Sequence, residues 1–156
     1  MINLLVRTKN YPKLSAMTES LKSVLSTTVY TRLTASIASK KAETEALLES
    51  LRPSVEEMKT NIIKDFGSEE KFLQEMGAKE NTKSKFIAIP KKTIDDSINY
   101  AWTLYEMGDY ENARALINTL FCIADHTQDL LKLTWGRLYL NLIDRFHSND
   151  AGQAAG

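Results

Sequence analysis

The chain has 156 residues and no net charge, because 20 lysines and arginines balance 20 acidic residues. The length suits one domain with its own core, and the neutral balance argues against a protein whose whole surface binds polyanions. The single cysteine excludes an internal disulfide framework, and no apolar window approaches the roughly 18 residues of a membrane span. With few glycines and prolines, the composition favours helices. We therefore expect an all-α, cytoplasmic protein.

Residues 1–77 are predicted to form an N-terminal group of helices. Asn10 can cap the first of them, and Pro12 suits an early helical position. Apolar residues then recur at spacings of three and four, which predicts one buried stripe on a helix over residues 12–25. This stripe consists of Leu14, Met17, Leu21, Val24 and Leu25.

A long helix is predicted over residues 29–59, and its middle is nearly all small or charged. Pro53 is expected to end or kink this helix, because proline lacks an amide hydrogen and clashes with the preceding turn. Residues 68–70, Ser-Glu-Glu, are a good helix start, and Gly77 is a good stop. A short helix is therefore predicted between them, with a buried face made of Phe72, Leu73 and Met76.

Residues 78–92 are predicted to form a polar, basic connecting loop. Five of its lysines are candidate contacts for RNA or the ribosome: Lys79, Lys83, Lys85, Lys91 and Lys92. Contacts to phosphates would make such binding depend on salt. No alternation of aromatic residues with these lysines supports base stacking. A solvated connection is therefore the first interpretation, and an RNA-contacting loop is the alternative.

The most informative stretch is residues 94–120, which is typical of two amphipathic helices joined by a tight turn. Gly108 can take the left-handed conformation that ends the first helix, and Asp109 can cap the second. Ala101 and Ala113 are small enough for the two helices to approach closely. The predicted structural residues of this hairpin are Ala101, Leu104, Gly108, Tyr110, Ala113 and Ile117.

Boundary signals lie on both sides of the hairpin. Thr93 with Asp96 resembles a capping box that starts its first helix. After the hairpin, Thr127 is predicted to cap a helix over residues 128–146. Its apolar positions are Leu130, Leu131, Leu133, Trp135, Leu138, Tyr139, Leu142 and Ile143. Each helix of this region therefore has its own start signal.

A second turn is predicted at Asn149-Asp150, which would start a partner helix. It lies about forty residues after the turn at residues 108–109, a plausible period for a helical repeat. The predicted fold is therefore a right-handed helical-repeat solenoid, tetratricopeptide-like in shape, with its hairpin repeats in residues 93–156. We expect the chain to be a fragment truncated at the C-terminus, where an uncapped apolar face would favour association.

No catalytic constellation is found in the sequence: it has no glycine-rich phosphate loop, no metal-binding His/Cys spacing and no nucleophile elbow. His126 and His147 lie near predicted helix boundaries, and no third metal ligand is nearby in sequence. We therefore expect no enzyme activity, no cofactor and no metal. Solenoids present surfaces to other macromolecules, and Trp102, on a face next to Ala101, is the candidate partner contact.

Three short strings stand in order along the chain: Ala-Glu-Thr-Glu at 42–45, Tyr-Glu-Met-Gly-Asp-Tyr at 105–110 and Trp-Gly-Arg-Leu at 135–138. Together they resemble subunit e of the eukaryotic translation initiation factor 3 complex. In that family an Ala-Glu-Thr-Glu stretch, a Tyr-Glu-x-Gly-Asn-Tyr turn and a Trp-Gly-Lys-Leu segment hold the corresponding positions. Residues 57–92 depart from the family pattern.

The resemblance implies a PCI-type scaffold subunit that contacts other subunits of the initiation factor and the small ribosomal subunit. It also implies that the chain is the N-terminal helical arm of a longer protein. Contact to rRNA or mRNA is suggested by the lysines themselves and not by the resemblance, and no membrane contact is expected. Scaffold subunits of the proteasome lid and the signalosome share the architecture, so a scaffold of either complex is an alternative. An RNA-contacting module using residues 79–92 is the other alternative.

Overall fold

The computed structural model describes residues 9–78 and 89–154. In these two ranges all regular secondary structure is helical, which confirms the all-α prediction. The helices are α1 (Tyr11–Ser20), α2 (Thr27–Phe66), α3 (Glu69–Ala78), α4 (Lys91–Met107), α5 (Tyr110–Ile123) and α6 (Thr127–Ala154). Each lies where a helix is predicted, although several boundaries differ.

Two hydrophobic clusters of unequal size hold these helices together. In the main core, the C-terminal half of α2 packs with α3, α4, α5 and α6, and Met58, Ile62, Phe72 and Leu120 have no exposed surface. α6 is the outermost of these helices and packs on α5 and α4. The second cluster joins α1 to the N-terminal half of α2 and consists of Tyr11, Leu14 and Ile37.

α1 is shorter than predicted. It begins as expected, because the Asn10 side chain caps it and Pro12 lies in its first turn. It ends at Ser20, and the apolar residues predicted for its buried face are buried only in part. Leu14 is buried, whereas Val24, beyond the end of the helix, is 79% exposed. The second cluster is too small to cover all the apolar residues predicted to be buried in residues 12–25.

α2 is one continuous helix of 40 residues, although Pro53 lies inside it. Of the two predicted effects of Pro53, an end or a kink, the end is wrong, because the helix continues to Phe66 and ends at Gly67, whose φ is +84°. Packing stabilises a helix more than local propensity does. Pro53 itself is exposed, and the turns that follow it bury three side chains in the main core: Val55, Met58 and Ile62.

α3 forms as predicted between residues 68 and 78. The Ser68 hydroxyl accepts a hydrogen bond from the Lys71 amide at 3.2 Å. Phe72 and Met76 are buried, and Leu73 is partly buried beside them. Gly77 lies within the last turn of the helix instead of beyond it.

The predicted capping box at the start of α4 does not form. Pro90 holds the N-cap position with φ −57°, and its hydrocarbon ring has no group that could cap the helix. The Thr93 hydroxyl instead donates to Glu57 at 3.1 Å, and Asp96 accepts from the Ser54 hydroxyl at 2.8 Å. Both side chains therefore link α4 to α2.

α6 continues through residues 149–150 to Ala154, so the predicted turn at Asn149-Asp150 is wrong. One residue earlier, the Ser148 hydroxyl donates to the Asp144 carbonyl at 2.8 Å, a bond made within the helix. Without that turn, the described residues contain no second hairpin at the forty-residue spacing. The solenoid repeat therefore stays a prediction.

Candidate protein-binding surface

The turn between α4 and α5 forms as the sequence predicts. Gly108 has φ +87°, and its amide donates to the Tyr105 carbonyl at 3.0 Å. The next amide, of Asp109, donates to the Leu104 carbonyl at 3.0 Å. The Asp109 carboxylate caps α5 by accepting from the amide and the side chain of Asn112, at 3.5 and 2.9 Å. These bonds satisfy the free backbone groups at both helix ends.

Two further contacts explain the small residues of the hairpin. A Cβ added to Gly108 would lie 3.1 Å from Asn10 Nδ2, so the turn also packs against the start of α1. The alanines let α4 and α5 approach closely. Of the predicted hairpin residues, Ala101, Ala113 and Ile117 are buried, and Leu104 and Tyr110 are half-buried.

Five aromatic rings of α4, α5 and α6 form one cluster beside the hairpin. Trp102 packs edge-on against Tyr105 and Tyr139, with ring centroids 5.5 and 6.4 Å apart. Tyr105 also contacts Tyr110, and Trp135 stacks on Tyr139 at 5.8 Å. Burial raises the pKa of the Tyr105 phenol, and the neighbouring tyrosines add to this shift. Trp102, the candidate partner contact, therefore lies within the cluster, while Trp135 and Tyr139 form its exposed side.

The inner face of α6 packs tightly on α5. Leu133 and Leu140 are 1% exposed. Gly136 lies so close to α5 that an added Cβ would be 2.9 Å from the Ile117 side chain. Arg114 donates to the Leu140 carbonyl at 3.2 Å and so fixes the same two helices at their edge. These contacts hold α6 against α5.

The opposite face of α6 is also apolar, and it is exposed. We call this face the apolar stripe. Its side chains are between 40% and 70% exposed, and four of them follow each other at spacings of four, three and four residues. Single exposed apolar residues are common on proteins, but a continuous group of large ones marks a contact surface. The stripe consists of Leu131, Trp135, Leu138, Tyr139, Leu142 and Phe146.

The apolar stripe is not predicted above, where the apolar positions of this helix are given without being divided between its faces. The helical period separates them into two faces. Positions 133, 136 and 140 point to α5, and positions 131, 135, 138 and 142 point away from it. A helix that is apolar on two faces needs two partners, and this signal is present in the sequence.

Two of the five candidate RNA-contacting lysines lie within the described residues. Lys91 and Lys92 belong to the first turn of α4, and the other three, Lys79, Lys83 and Lys85, lie outside the described residues. The Lys91 ammonium bonds to Asp95 and, at 2.7 Å, to Asp129, which is 2% exposed. These two bonds raise the pKa of Lys91, that from Asp129 more strongly. Lys91 therefore joins α4 to α6.

The described residues contain no group of three His, Cys, Asp or Glu side chains that could hold a metal ion. His126 and His147 are both exposed, and His126 lies 3.6 Å from the Asp125 carboxylate. A cleft of about 310 Å³ between α2, α4 and α5 is lined by side chains of both charges, including Arg52, Glu56, Lys59 and Glu69. The apolar stripe is therefore the strongest candidate for a functional surface.

Among the helices of residues 9–78 and 89–154, none combines the length and the apolar character that crossing a lipid bilayer requires. No family model, no curated protein and no solved structure matches the chain significantly. The apolar stripe and the three residue strings are therefore the features of this chain that bear on its function.

Proposed function

We propose that this protein is a scaffold subunit of the translation initiation factor 3 complex and makes protein–protein contacts in the preinitiation complex on the small ribosomal subunit. The observation that carries the scaffold function is the apolar stripe. Its side chains are held in a fixed order by a helix whose other face is locked into the core. Such a rigid, preorganised surface loses little entropy when a partner binds.

The three strings that resemble initiation factor subunit e support the choice of complex. String 105–110 forms the turn between α4 and α5, and string 135–138 contains Gly136, which lets α6 approach Ile117. String 42–45 contains Thr44, whose hydroxyl lies 2.7 Å from that of Tyr11. The strings therefore coincide with positions where the fold constrains the residue type.

In this proposal the protein acts by binding other proteins through its helices and carries out no catalytic step. The proteasome lid and the signalosome contain scaffolds of related architecture, and the stripe alone would suit either. A contact to rRNA or mRNA through the lysines is less favoured, because Lys91 is occupied by two carboxylates. The residue strings are what favours the initiation factor in this proposal.

The test is affinity purification of the tagged full-length protein from cells at moderate salt, with mass spectrometry of the proteins that co-elute. We expect other initiation factor 3 subunits together with proteins of the small ribosomal subunit. An unrelated tagged protein of similar size provides the background. Proteasome lid or signalosome subunits in their place would overturn the assignment of the complex, and the absence of all three sets would overturn the scaffold function.

A further inference from the structure

We propose that the apolar stripe of α6 binds the same stripe of a second copy of this chain, with the two α6 helices antiparallel. The inference rests on the proposed function only in taking the stripe to be a protein contact. It does not depend on which complex the protein belongs to.

The arrangement of residue types in the stripe is symmetric. The midpoint lies between Leu138 and Tyr139, and each aromatic residue on one side has a leucine at the same distance on the other. An antiparallel pair centred there brings together Leu131 with Phe146, Trp135 with Leu142, and Leu138 with Tyr139. Every contact would then join one ring and one leucine, so that large and smaller side chains interdigitate. A parallel pair would set each ring against its own copy.

The spacing of the stripe also suits a helix partner. Residues 131, 135, 138 and 142 follow the alternating three- and four-residue pattern of a coiled-coil seam. From 131 to 146 the stripe extends over about 22 Å of helix. α6 contains 28 residues, so that it continues past both ends of the stripe. A straight, self-complementary helix face of this kind is the simplest isologous contact.

The exposed area is close to what a stable dimer needs. The six side chains are 40% to 70% exposed. With about 200 Å² for each large side chain, they expose about 600 Å² of mostly apolar surface. A standard interface buries about 800 Å² on each partner, and its polar rim supplies the remainder. Trp135 and Tyr139, which stack on each other, would form the preorganised aromatic centre.

Charges at the edges of the stripe allow the antiparallel arrangement. Lys132 borders the stripe on one side and Arg145 on the other, by the helical period. In the antiparallel pair the two copies of Lys132 lie at opposite ends of one side, about 20 Å apart. This separation exceeds the screening length of about 10 Å at 0.1 M salt. The seam itself contains no charged side chain.

The first test is the mass of the purified 156-residue chain by light scattering, at concentrations from about 1 to 100 μM. We expect twice the chain mass of 17.6 kDa. Leu138→Glu should raise the dissociation constant at least about 100-fold, because a carboxylate would be buried at the centre of the interface. Ile63→Glu, at an apolar residue 51% exposed on α2, is the matched control and should remain dimeric. Circular dichroism confirms that both variants are folded.

The second test fixes the orientation by disulfide formation between single added cysteines, with the wild-type chain as the control for Cys122. Leu138→Cys should form a symmetric covalent dimer. Leu131→Cys should not, since its copies would lie about 22 Å apart, but it should link to Phe146→Cys when the two proteins are mixed. Efficient self-linking of Leu131→Cys would overturn the antiparallel arrangement.

The two proposals fail in different experiments. A mass of one chain at 100 μM would overturn the dimer, whatever other protein binds the stripe, and it would leave a co-purified initiation factor unaffected. Conversely, a dimer that Leu138→Glu dissociates would support this inference even if no initiation factor subunit co-purifies. A dimer that Leu138→Glu does not affect would also overturn it, because the contact would then lie elsewhere.

Discussion

The two halves of α2 lie in very different surroundings. Its C-terminal half belongs to the main core, which contains side chains of α3, α4, α5 and α6, whereas its N-terminal half packs with α1 beside a single side chain of α4, Met107. The α1 contact combines three buried side chains with the bonds of the Tyr11 hydroxyl to Thr44 and to the Lys40 carbonyl. A continuous helix can therefore be packed firmly in one half and weakly in the other. Local unfolding of the protein should begin with the release of α1.

The largest effect should come from the same substitution made in the two halves. Ile62→Ala removes a fully buried side chain from the main core and should lower the free energy of unfolding by about 2–5 kcal/mol. Ile37→Ala, on the same helix, should cost about 1–2 kcal/mol, because local release of α1 limits the loss. Urea unfolding measures both, with exposed Ile63→Ala as the control. Equal losses at Ile62 and Ile37 would refute the distinction.

Gly108 connects the two regions, since its turn packs against Asn10. Gly108→Ala should cost about 1–2 kcal/mol through the left-handed backbone, with an added cost from the 3.1 Å contact to Asn10. Gly67→Ala has a similar φ of +84° but open space around it, so it measures backbone strain alone. Gly77→Ala, within α3, should stabilise the protein by about 0.5–1 kcal/mol. Thermal unfolding of the three variants should follow this order, and identical costs at Gly108 and Gly67 would show that the Asn10 contact contributes nothing.

Tyr11→Phe tests the hydrogen bonds of the smaller cluster. The change removes a buried hydroxyl that lies 2.7 Å from Thr44 Oγ1, and it should cost about 1 kcal/mol. The loss should be local, so amide hydrogen exchange should accelerate in α1 and not in α5. Faster exchange in both helices would mean that the two clusters unfold as one unit.

The smallest effect concerns the pH dependence of the bonds between α4 and α6. Bonds to Asp129 and Asp95 raise the pKa of Lys91 in the folded state. Their contribution is therefore present below the ordinary lysine pKa of about 10.4 and is lost as pH rises through the higher folded pKa. Lys91→Met should lower the thermal midpoint at pH 8, and the gap to wild type should close as pH rises towards the folded pKa and beyond. A gap that stays constant would contradict this role of the ammonium charge.

The features that sequence predicts well here depend on neighbouring residues. Gly108 and Asp109 define the turn of the hairpin, and Asn10 and Ser68 provide helix starts, because capping bonds reach only three or four residues along the chain. The prediction of a cap from neighbouring residues is wrong at Thr93, whose hydroxyl donates to Glu57 of α2 instead of capping its own helix. A side chain that can cap will leave the cap when another helix offers a partner.

The features that sequence misjudged depend on packing between distant segments. Pro53 lowers helix propensity, yet the buried turns that follow it keep α2 intact. The polar pair at 149–150 can start a helix, but it can also continue one. For α6, the apolar pattern could have revealed two faces, since the stripe is visible in the residue spacing. What the pattern alone could not give is which face packs on α5.

If the apolar stripe is a protein contact, a cross-linking group placed on it should capture the partner in the cell. We would replace Leu138 by a photo-reactive amino acid in the 156-residue chain, with the same replacement at Ile63 as the control, and irradiate intact cells that express it. Position 138 should yield specific cross-linked products above the 17.6 kDa of the free chain, identifiable by mass spectrometry, and position 63 should not. Recovery of only the free chain from both positions would contradict it.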